Sequence, residues 1–456
     1  MIELGNNRLW IPDRCDLVYD DFRFRERLVI IILWTGATKK AKMHIIMCKN
    51  SLILHILMCD MTLFEKSDML VSRVDTSFKR YLYKQINWSN RLIGIKGARG
   101  VGKTTLILQR LHQLEKTSEE AAYFSLDDLY FSSYSFINTI DNYYKAGGKY
   151  LFLDEIHKFP GWSRAIKNLY DFYPDLHIVF TGSSIIDISR EEGDLSRRVL
   201  MYELHGLSYR EYLVYSTGNE YPLLNFDQLI NRSSEIRKLF EPSFRPLQLF
   251  ENYLSSGYYP FFREDIEGYH QRIQQLIRLI VEYDMAELKD FDIRNAKKML
   301  QLLGILAENV PFKPNITKLA EKSKIHRNSI ISYLHYLEQA RLIHQLYPAG
   351  ISIATLQKPE KIYLNNPNLA FALSASEPDR GNLRETFFLN QLKVSHKINY
   401  PKNADFVVDG KFVFEIGGKG KDSHQIKDLK NAFIVKDNLE YPSMGVLPLW
   451  LFGFLY

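Results

Sequence analysis

Arg91-Leu-Ile-Gly-Ile-Lys-Gly-Ala-Arg-Gly-Val-Gly-Lys-Thr-Thr105 is the stretch that decides the fold. Its apolar start, Leu92 to Ile95, is typical of a buried strand. A glycine-rich turn follows, and the residues from Gly97 to Thr104 match the pattern G-x-x-x-x-G-K-[ST]. The apolar spacing from Thr104 to Leu114 indicates a helix. A strand, this turn and a helix in that order predict a phosphate-binding loop.

The chemistry of this loop predicts a nucleotide site. Backbone N–H groups in such a loop point inward and form an anion site together with the N-terminus of the following helix. Lys103 is predicted to reach the β- and γ-phosphates of ATP, and the Thr104 hydroxyl is predicted to ligate Mg²⁺. The residues predicted to bind the nucleotide are Gly97, Ala98, Arg99, Gly100, Val101, Gly102, Lys103, Thr104 and Thr105.

A second motif, Tyr150-Leu-Phe-Leu-Asp-Glu155, lies about fifty residues after the loop. It reads as an apolar strand that ends in two carboxylates. Asp154 is predicted to hold Mg²⁺, through water or through Thr104, and Glu155 to orient and deprotonate the attacking water. A strand that ends in Asp-Glu is common by itself, but its position downstream of a complete phosphate loop makes it specific. Together the two motifs predict ATP hydrolysis.

The order of motifs along the chain resembles that of a known family. After the two motifs above come a helix with Trp162, the run Phe180-Thr-Gly-Ser-Ser184, the pair Arg198-Val199 and the run Gly206-Leu-Ser-Tyr-Arg-Glu-Tyr212. This order is similar to that of prokaryotic AAA-type ATPases with a C-terminal domain of unknown function that ends in a nuclease-like fold. The resemblance covers roughly residues 70 to 450, and the biological role of the family is poorly defined.

The resemblance implies the fold class. It is an α/β fold: a P-loop NTPase with an AAA-type parallel sheet, then a helical and winged-helix region, and then a small α/β nuclease-like domain. The implied segments are an N-terminal extension at 1–68, the ATPase domain at 70–212, a helical domain at 213–310, a winged helix-turn-helix at 311–375 and the nuclease-like domain at 376–456.

Two further residues are candidates for catalysis. In Walker-type ATPases with an inserted strand, a polar residue at the end of that strand senses the γ-phosphate, and Ser183 or Ser184 fits this position; the alternative is a plain turn. Arg198, next to Arg197, is a candidate for stabilising the charge of the transition state. The alternative is that both arginines are ordinary surface residues.

The N-terminal extension differs from the rest in composition. Five of the ten methionines and all three cysteines, Cys15, Cys48 and Cys59, lie in it, and a sixth methionine, Met69, follows directly. This composition suggests translation from an upstream start, with Met61 or Met69 as the natural one; an adaptor segment is the alternative. Its apolar runs are too short or too interrupted to span a bilayer. We therefore expect no membrane partner, and the need for ATP indicates a cytoplasmic protein.

A helix-turn-helix pattern follows the helical region. Ile316 begins a helix, Ser323 to Ile325 form a turn, Asn328 to Leu337 form a second helix, and Arg341 to Tyr347 alternate as a strand. This predicts a winged helix that contacts double-stranded DNA, or else a dimerisation or packing module. The second helix is expected to bury Ile330, Leu334 and Leu337. The predicted DNA-facing residues are Lys322, Lys324, His326, Arg327, Asn328 and Ser332.

The tail carries a second pair of carboxylates. Asp405 and Glu415 are predicted to face each other across a hairpin with Asp-Gly at its turn, which is similar to the PD-(D/E)XK nuclease core that holds Mg²⁺. Gly417 stands where that core has its lysine, and Lys419 and Lys421 lie further along. This departure favours a degenerate, structural fold over a cleaving one.

Charge decides little about partners. The net charge is +6 with a pI near 8.8, which diffuse surface lysine explains. The acidic run Asp284, Glu287, Asp290 and Asp292 is interpreted as a solvated helix face rather than a metal site. The sequence thus predicts a Mg²⁺-dependent ATPase, acting as a regulatory or DNA-associated switch, with a homo-oligomer or a protein partner possible. The alternatives are a nucleotide-gated binding module with little turnover and an ATP-controlled DNA nuclease.

Overall fold

The structure, a computed structural model, divides into two compact units, Met1–Thr62 and Leu63–Tyr456. In the first it describes four short strands that form two antiparallel pairs. These strands are β1 Ile2–Leu4, β2 Asn7–Leu9, β3 Leu28–Ile31 and β4 His44–Met47. From residue 61 onward it describes 61–183, 195, 197–231, 233–285, 291–308, 314, 316–349, 359–374, 376–418, 420, 426, 429–443 and 445–456. The three cysteines lie outside the described residues.

The second unit contains a five-stranded parallel sheet in the order β6-β7-β8-β5-β9. Its strands are β5 Leu92–Gly97, β6 Ala121–Ser125, β7 Tyr150–Asp154, β8 His177–Ser183 and β9 Leu200–Glu203. Because all neighbours are parallel, the carboxyl ends of all five strands lie at one edge. The phosphate loop follows β5 and the two carboxylates follow or end β7, so both motifs meet at this edge. The predicted P-loop, AAA-type α/β fold is confirmed.

Helices cover this sheet. They are α1 Leu63–Arg73, α2 Tyr81–Gln85, α3 Lys103–Gln113, α4 Tyr130–Ser133, α5 Phe136–Lys145 and α6 Trp162–Phe172, with a 3-10 turn at Ile156–Lys158. Helix α1 packs against the sheet. The Ser67 hydroxyl accepts a hydrogen bond from the Tyr123 N–H at 3.0 Å, and Lys66 pairs with Asp128 at 2.7 Å. The body of this domain therefore begins at Leu63, before the predicted boundary at residue 70.

The apolar character of the strands follows from burial on both faces. Ile93 and Ile95 of β5 pack into one hydrophobic cluster, and the alternate residue Leu92 packs into another on the opposite face. Phe152 and Leu153 of β7 divide between the two clusters in the same way. Successive side chains of a strand point to opposite faces, so a strand covered on both sides reads as a continuous apolar run.

The rest of the second unit is mixed. Its helices are α7 Tyr209–Thr217, α8 Phe226–Asn231, α9 Phe250–Ser256, α10 Tyr269–Leu279, α11 Ala296–Ala307, α12 Ile316–Ser323, α13 Arg327–Gln339, α14 Pro367–Leu373 and α15 Arg380–Leu392. Short 3-10 segments lie at Ser233–Leu239, Pro260–Arg263, Ile293–Asn295 and Leu449–Phe454, and a π-helical turn lies at Ile280–Asp284. Among the described helices, none combines the length and the apolar character that crossing a bilayer requires.

Two sheets complete the fold. Strands β10 Ile343–Leu346 and β11 Lys361–Leu364 pair antiparallel after helices α12 and α13. The tail sheet has the order β12-β13-β14-β15-β16. Its strands are β12 Ile398–Asn399, β13 Phe406–Val408, β14 Phe412–Gly417, β15 Ala432–Lys436 and β16 Val446–Pro448. Strands β13 and β14 form a hairpin in which three residues, Asp409 to Lys411, separate the paired residues Val408 and Phe412. Asp409 and Gly410 have positive φ, a region that aspartate and glycine adopt more readily than most residues.

One hydrophobic cluster runs through all of these parts. It contains Leu106 beside the phosphate loop, Tyr253 of the helical region, Leu334 of α13 and Phe388 next to the tail sheet. The predicted segments after the extension therefore share a core rather than folding around separate ones. A change in one of them can reach the others through packed side chains.

A buried arginine joins the phosphate loop to this shared core. Arg80 is 5% exposed. Its guanidinium donates to the Glu211 carboxylate at 3.0 Å, to the Val101 carbonyl of the loop at 2.5 Å and to the His205 and Gly206 carbonyls at 2.6 and 2.9 Å. Glu211 also completes a capping box at the start of α7. Charge-assisted hydrogen bonds from Arg80 thus anchor the loop to the shared core.

Replacing Arg80 tests this support. Arg80→Ala should lower the free energy of unfolding by about 3–5 kcal/mol, because it leaves the Glu211 carboxylate buried without its cation. Urea denaturation measures the change. The matched control is Arg294→Ala, which removes an arginine that is 87% exposed and pairs with Asp292, and it should have little effect. Similar small losses in both variants would contradict a structural role for Arg80.

Candidate nucleotide site

The phosphate loop has the backbone that its glycines predict. Strand β5 ends at Gly97 and helix α3 begins at Lys103. Gly100 and Gly102 have φ of +80° and +95°, a region that residues with a Cβ adopt at a cost. A Cβ on Gly97 would lie 2.3 Å from the Leu204 carbonyl oxygen. Each glycine of the pattern is therefore required by either conformation or close approach.

Lys103 folds back over the loop. Its Nζ donates to the carbonyl oxygens of Gly97 and Ala98, both at 3.0 Å. Burial lowers the pKa of Lys103, whereas the negative charges of Glu155 and Asp154 oppose this shift. The ammonium is thus held inside the loop, where a bound phosphate chain would have to be neutralised.

Asp154 is the centre of the site. It is 3% exposed and accepts hydrogen bonds from three hydroxyls. Thr104 Oγ1 and the Tyr123 phenol donate to its Oδ2 at 2.6 and 3.0 Å, and the Thr181 hydroxyl donates to its Oδ1. The predicted metal-binding pair, Thr104 and Asp154, is in direct contact. Carboxylate and hydroxyl oxygens are the ligands that Mg²⁺ prefers, so these residues fit the expected metal.

Glu155 follows in a strained conformation, with φ +50° and ψ 45°. Non-glycine residues in this left-handed region cluster at functional sites. Burial raises the pKa of Glu155, and the charge of Lys103 opposes the rise. Its Oε2 lies 3.1 Å from Nε2 of His157. Burial lowers the pKa of His157 to about 3, so this imidazole is neutral at pH 7. A carboxylate whose pKa is raised towards neutrality suits a general base.

The predicted γ-phosphate sensor lies next to the loop. Ser183 is buried and stands opposite Gly97 in the register of β8 and β5. Ser184 lies outside the described residues. The hydroxyl of β8 that donates to Asp154 belongs to Thr181, two residues before Ser183. Leu153 of β7 pairs with Phe180 of β8, so the next residues along the two strands, Asp154 and Thr181, also lie side by side. The register of these two strands is the signal that could have identified Thr181.

Arg198 is not at this site. Its guanidinium makes two hydrogen bonds to the Asp171 carboxylate, at 2.8 and 3.0 Å. Arg198 precedes β9, so it lies at the amino-terminal edge of a parallel sheet, whereas the phosphate loop follows β5 at the carboxyl edge. This placement puts Arg198 away from the phosphate loop of its own chain, and its role in stabilising the transition state stays a prediction.

The loop is covered by the region that follows α9. A Cβ on Gly100 would lie 3.2 Å from the Phe261 ring, and one on Gly102 would lie 3.8 Å from Pro260. Arg99 of the loop pairs with Asp284 at 2.9 Å. Asp284 is 1% exposed, so the interpretation of the acidic run as a solvated face is wrong for this residue. Glu287 and Asp290 lie outside the described residues.

A lysine lies beside Asp405, one of the second pair of predicted carboxylates, and beside Glu385 of α15. Lys361 Nζ lies 3.0 Å from Glu385 Oε2 and 3.2 Å from Asp405 Oδ1. The Tyr363 phenol donates to Glu385 at 2.6 Å. Glu415 is buried on the neighbouring strand. The signal for Lys361 was absent from the sequence, since it lies 44 residues before Asp405.

Two observations bear on cleavage at this place. In the part of the chain that the structure describes, no group of three or more His, Cys, Asp or Glu side chains is arranged to hold a metal ion. Lys419 and Lys421, the predicted substitutes for the missing lysine, lie outside the described residues.

Helices α12 and α13 bury the predicted apolar residues and expose the predicted polar ones. Ile330, Leu334 and Leu337 of α13 are buried, as expected. The residues predicted to face DNA are all exposed: Lys322, Lys324, His326, Arg327, Asn328 and Ser332. The arrangement leaves one side of α13 open to solvent, with its cations at the N-terminal end.

Comparison with known proteins agrees with the sheet and the loop. An AAA domain model matches residues 89–213, which include all five strands of the parallel sheet and both carboxylates after the loop. The chain contains an AAA-type P-loop domain. A second model, of a domain of unknown function called DUF8612, matches residues 247–380. Asp284 and Lys361 lie within this second match.

Individual proteins add less. The chain is 29% identical over 402 residues to the uncharacterized protein MJ1637 of Methanocaldococcus jannaschii, covering 79% of this chain and 84% of that protein. Among solved structures it is similar to AMPPCP-bound DnaA from Aquifex aeolicus, with a TM-score of 0.25, 14% identity and coverage of 56% of this chain and 84% of that one. The S. cerevisiae Hsp104-ADP complex has a TM-score of 0.28, 17% identity and coverage of 60% and 41%. TM-scores this low assign no ligand, partner or role.

Removing the lysine tests the site. Lys103→Ala should abolish ATP binding, a loss of at least about 100-fold in affinity, because it deletes the buried cation that faces the β- and γ-phosphates. Isothermal titration calorimetry measures the affinity. Lys84→Ala, which removes an exposed lysine of α2, is the control and should bind as the wild type does. Unchanged affinity in Lys103→Ala would contradict the assignment of the loop.

Proposed function

We propose that this protein is a Mg²⁺-dependent ATPase of the cytoplasm whose hydrolysis drives a regulatory or DNA-associated switch. The observation that supports it most is the direct contact between Thr104 of the loop and Asp154 at the end of β7, 2.6 Å apart. Glu155 follows at once with the strained backbone and raised pKa of a reacting group. These three residues give a P-loop domain what hydrolysis needs beyond binding.

Each residue has a distinct part in the proposed reaction. The loop N–H groups and Lys103 bind the phosphate chain, and Thr104 and Asp154 hold the metal. Mg²⁺ held there would neutralise part of the negative charge of the phosphate chain. Glu155 orients a water molecule towards the γ-phosphate and accepts its proton. The three hydroxyls that donate hydrogen bonds to Asp154 keep its carboxylate in place. Ser183 is the candidate sensor beside the loop.

Arg198 takes part only if a second copy is present. It lies at the edge of the sheet opposite to its own loop, so its guanidinium can reach a γ-phosphate only in a neighbouring protomer. We therefore connect any catalytic role for Arg198 with a homo-oligomer. In a monomer its guanidinium pairs with Asp171, and Arg198 is then an ordinary surface residue.

Changing Glu155 separates binding from hydrolysis. Glu155→Gln should bind Mg²⁺-ATP about as tightly as the wild type but release phosphate at least about 100-fold more slowly, because the amide cannot accept the proton of water. Calorimetry and a phosphate-release assay measure the two properties. Glu119→Gln, which changes an exposed carboxylate, should leave both unchanged.

The outcomes distinguish the candidate functions. Turnover by Glu155→Gln at the wild-type rate would contradict its assignment as the base. Tight binding with negligible turnover in the wild type itself would instead favour the nucleotide-gated binding module.

The exposed side of α13 supports a contact with double-stranded DNA. A helix-turn-helix followed by the antiparallel pair β10 and β11 has the element order of a winged helix, in which the second helix enters the major groove. Lys324 and Arg327 are exposed at the start of this helix and can neutralise backbone phosphates. We propose that DNA, bound here, is what the ATPase domain responds to.

Two substitutions test the DNA contact. Lys324→Ala with Arg327→Ala should weaken binding to duplex DNA and reduce the slope of log affinity against log salt by about 2, since each lost phosphate contact removes about 0.9. Fluorescence anisotropy over a salt series measures this. Lys411→Ala, an exposed lysine of the tail hairpin, is the control. An unchanged slope in the double variant would show that the cations of α13 do not bind DNA.

We assign the tail a structural part and no cleavage. The ammonium of Lys361 lies between Glu385 and Asp405 and neutralises carboxylates that a nuclease would use to hold Mg²⁺. The lysine position of the nuclease pattern remains Gly417. An ATP-controlled nuclease is therefore not part of the proposed function.

A further inference from the structure

One ion pair connects the phosphate loop to the covering region. Arg99 lies between the first two glycines of the loop, and its Nη1 donates to Oδ1 of Asp284 at 2.9 Å. Asp284 ends the π-helical turn Ile280–Asp284, which continues α10. The carboxylate is 1% exposed, whereas the arginine side chain is 28% exposed. The guanidinium is therefore the partner that a ligand in solvent can reach.

The covering region meets the loop where phosphates would bind. A Cβ on Gly100 would lie 3.2 Å from the Phe261 ring and 3.5 Å from Leu276 of α10, and one on Gly102 would lie 3.8 Å from Pro260. The charge of Asp284 is felt inside the site. Burial lowers the pKa of Lys103, and Asp284 is among the negative groups that oppose this shift. Burial raises the pKa of Glu155, and Asp284 adds to the rise.

An incoming triphosphate competes for Arg99. Guanidinium groups bind phosphate oxygens through paired, charge-assisted hydrogen bonds, and a triphosphate offers more negative charge than one carboxylate. Arg99 belongs to the loop that is proposed to bind the phosphates, and its side chain is 28% exposed. Once Arg99 leaves, the buried Asp284 carboxylate loses the stabilising interaction with this cation, and such an interaction counts for more at a buried carboxylate than at an exposed one.

We propose that Asp284 is the residue through which the covering region senses nucleotide, by losing Arg99 to the bound phosphates. The inference rests on the proposed ATP binding and adds the element that responds to it. The π-helical turn is suited to the response, because such single-turn insertions recur at functional sites in helices. Loss of the ion pair displaces Ile280–Asp284 from the loop, and α10 passes this displacement into the shared core.

Linkage gives the sign of the effect. In the wild type, ATP binding must break the pair between Arg99 and Asp284, so part of the binding free energy is spent there. Asp284→Asn removes that competition and keeps the shape of the side chain. ATP affinity should rise by about tenfold, within the usual range of coupling between sites. Asp292→Asn, which changes another acid of the same run whose side chain is 39% exposed, should leave affinity unchanged.

A double-mutant cycle separates this mechanism from simple repulsion between Asp284 and the nucleotide. Arg99→Gln should weaken ATP binding, because a phosphate ligand is lost. In that background Asp284→Asn should no longer raise affinity. A rise of similar size with and without Arg99 would overturn the proposal, and so would an affinity of Asp284→Asn within twofold of the wild type.

A measurement on the wild type does not depend on the variants folding. Amide hydrogen exchange of residues 280–285 should become faster when saturating Mg²⁺-ATP is added, because the turn loses its contact with the loop. Slower or unchanged exchange in nucleotide-saturated protein would overturn the proposal. Failure of the wild type to bind ATP in calorimetry would instead refute the proposed function, so the two failures are distinguishable.

Discussion

The buried carboxylate of Asp154 is the constraint on which the site depends. A charge removed from water is stable only when hydrogen bonds replace its hydration. Asp154 receives these from Thr104 on the loop helix, Tyr123 on β6 and Thr181 on β8. The three donors come from three different elements, so the carboxylate fixes their relative positions at one edge of the sheet.

The strand order is what brings those donors together. Strand β8 lies between β7 and β5, so the strand that ends in Asp154 and the strand that leads into the loop are both neighbours of Thr181 and Ser183. The same edge places Glu155 within 3.1 Å of a neutral His157 and near the cation of Lys103. Arg80 donates a hydrogen bond to the Val101 carbonyl of the loop and pairs with Glu211, and Arg99 of the loop pairs with Asp284. The loop is thus held by charged groups on both sides.

Local sequence was sufficient where the chemistry is local. The pattern from Gly97 to Thr104 predicted the strand, the turn and the helix, because glycine backbone and loop spacing are properties of neighbouring residues. Asp154 was predictable from its place at the end of an apolar strand. Arg80, Asp284 and Lys361 were not, since each meets a partner far away in sequence. The edge of the sheet that Arg198 occupies was not predictable locally either, because only the direction of the strands shows it.

The measurement that tests the central claim most directly is phosphate release from ATP by the full chain, with Mg²⁺ and with excess EDTA. If Thr104 and Asp154 hold the metal beside Glu155, release should be catalytic with Mg²⁺ and fall to the uncatalysed rate with EDTA, and added Mg²⁺ should restore it. Equal release in both conditions, or none with saturating Mg²⁺-ATP bound, would contradict the account.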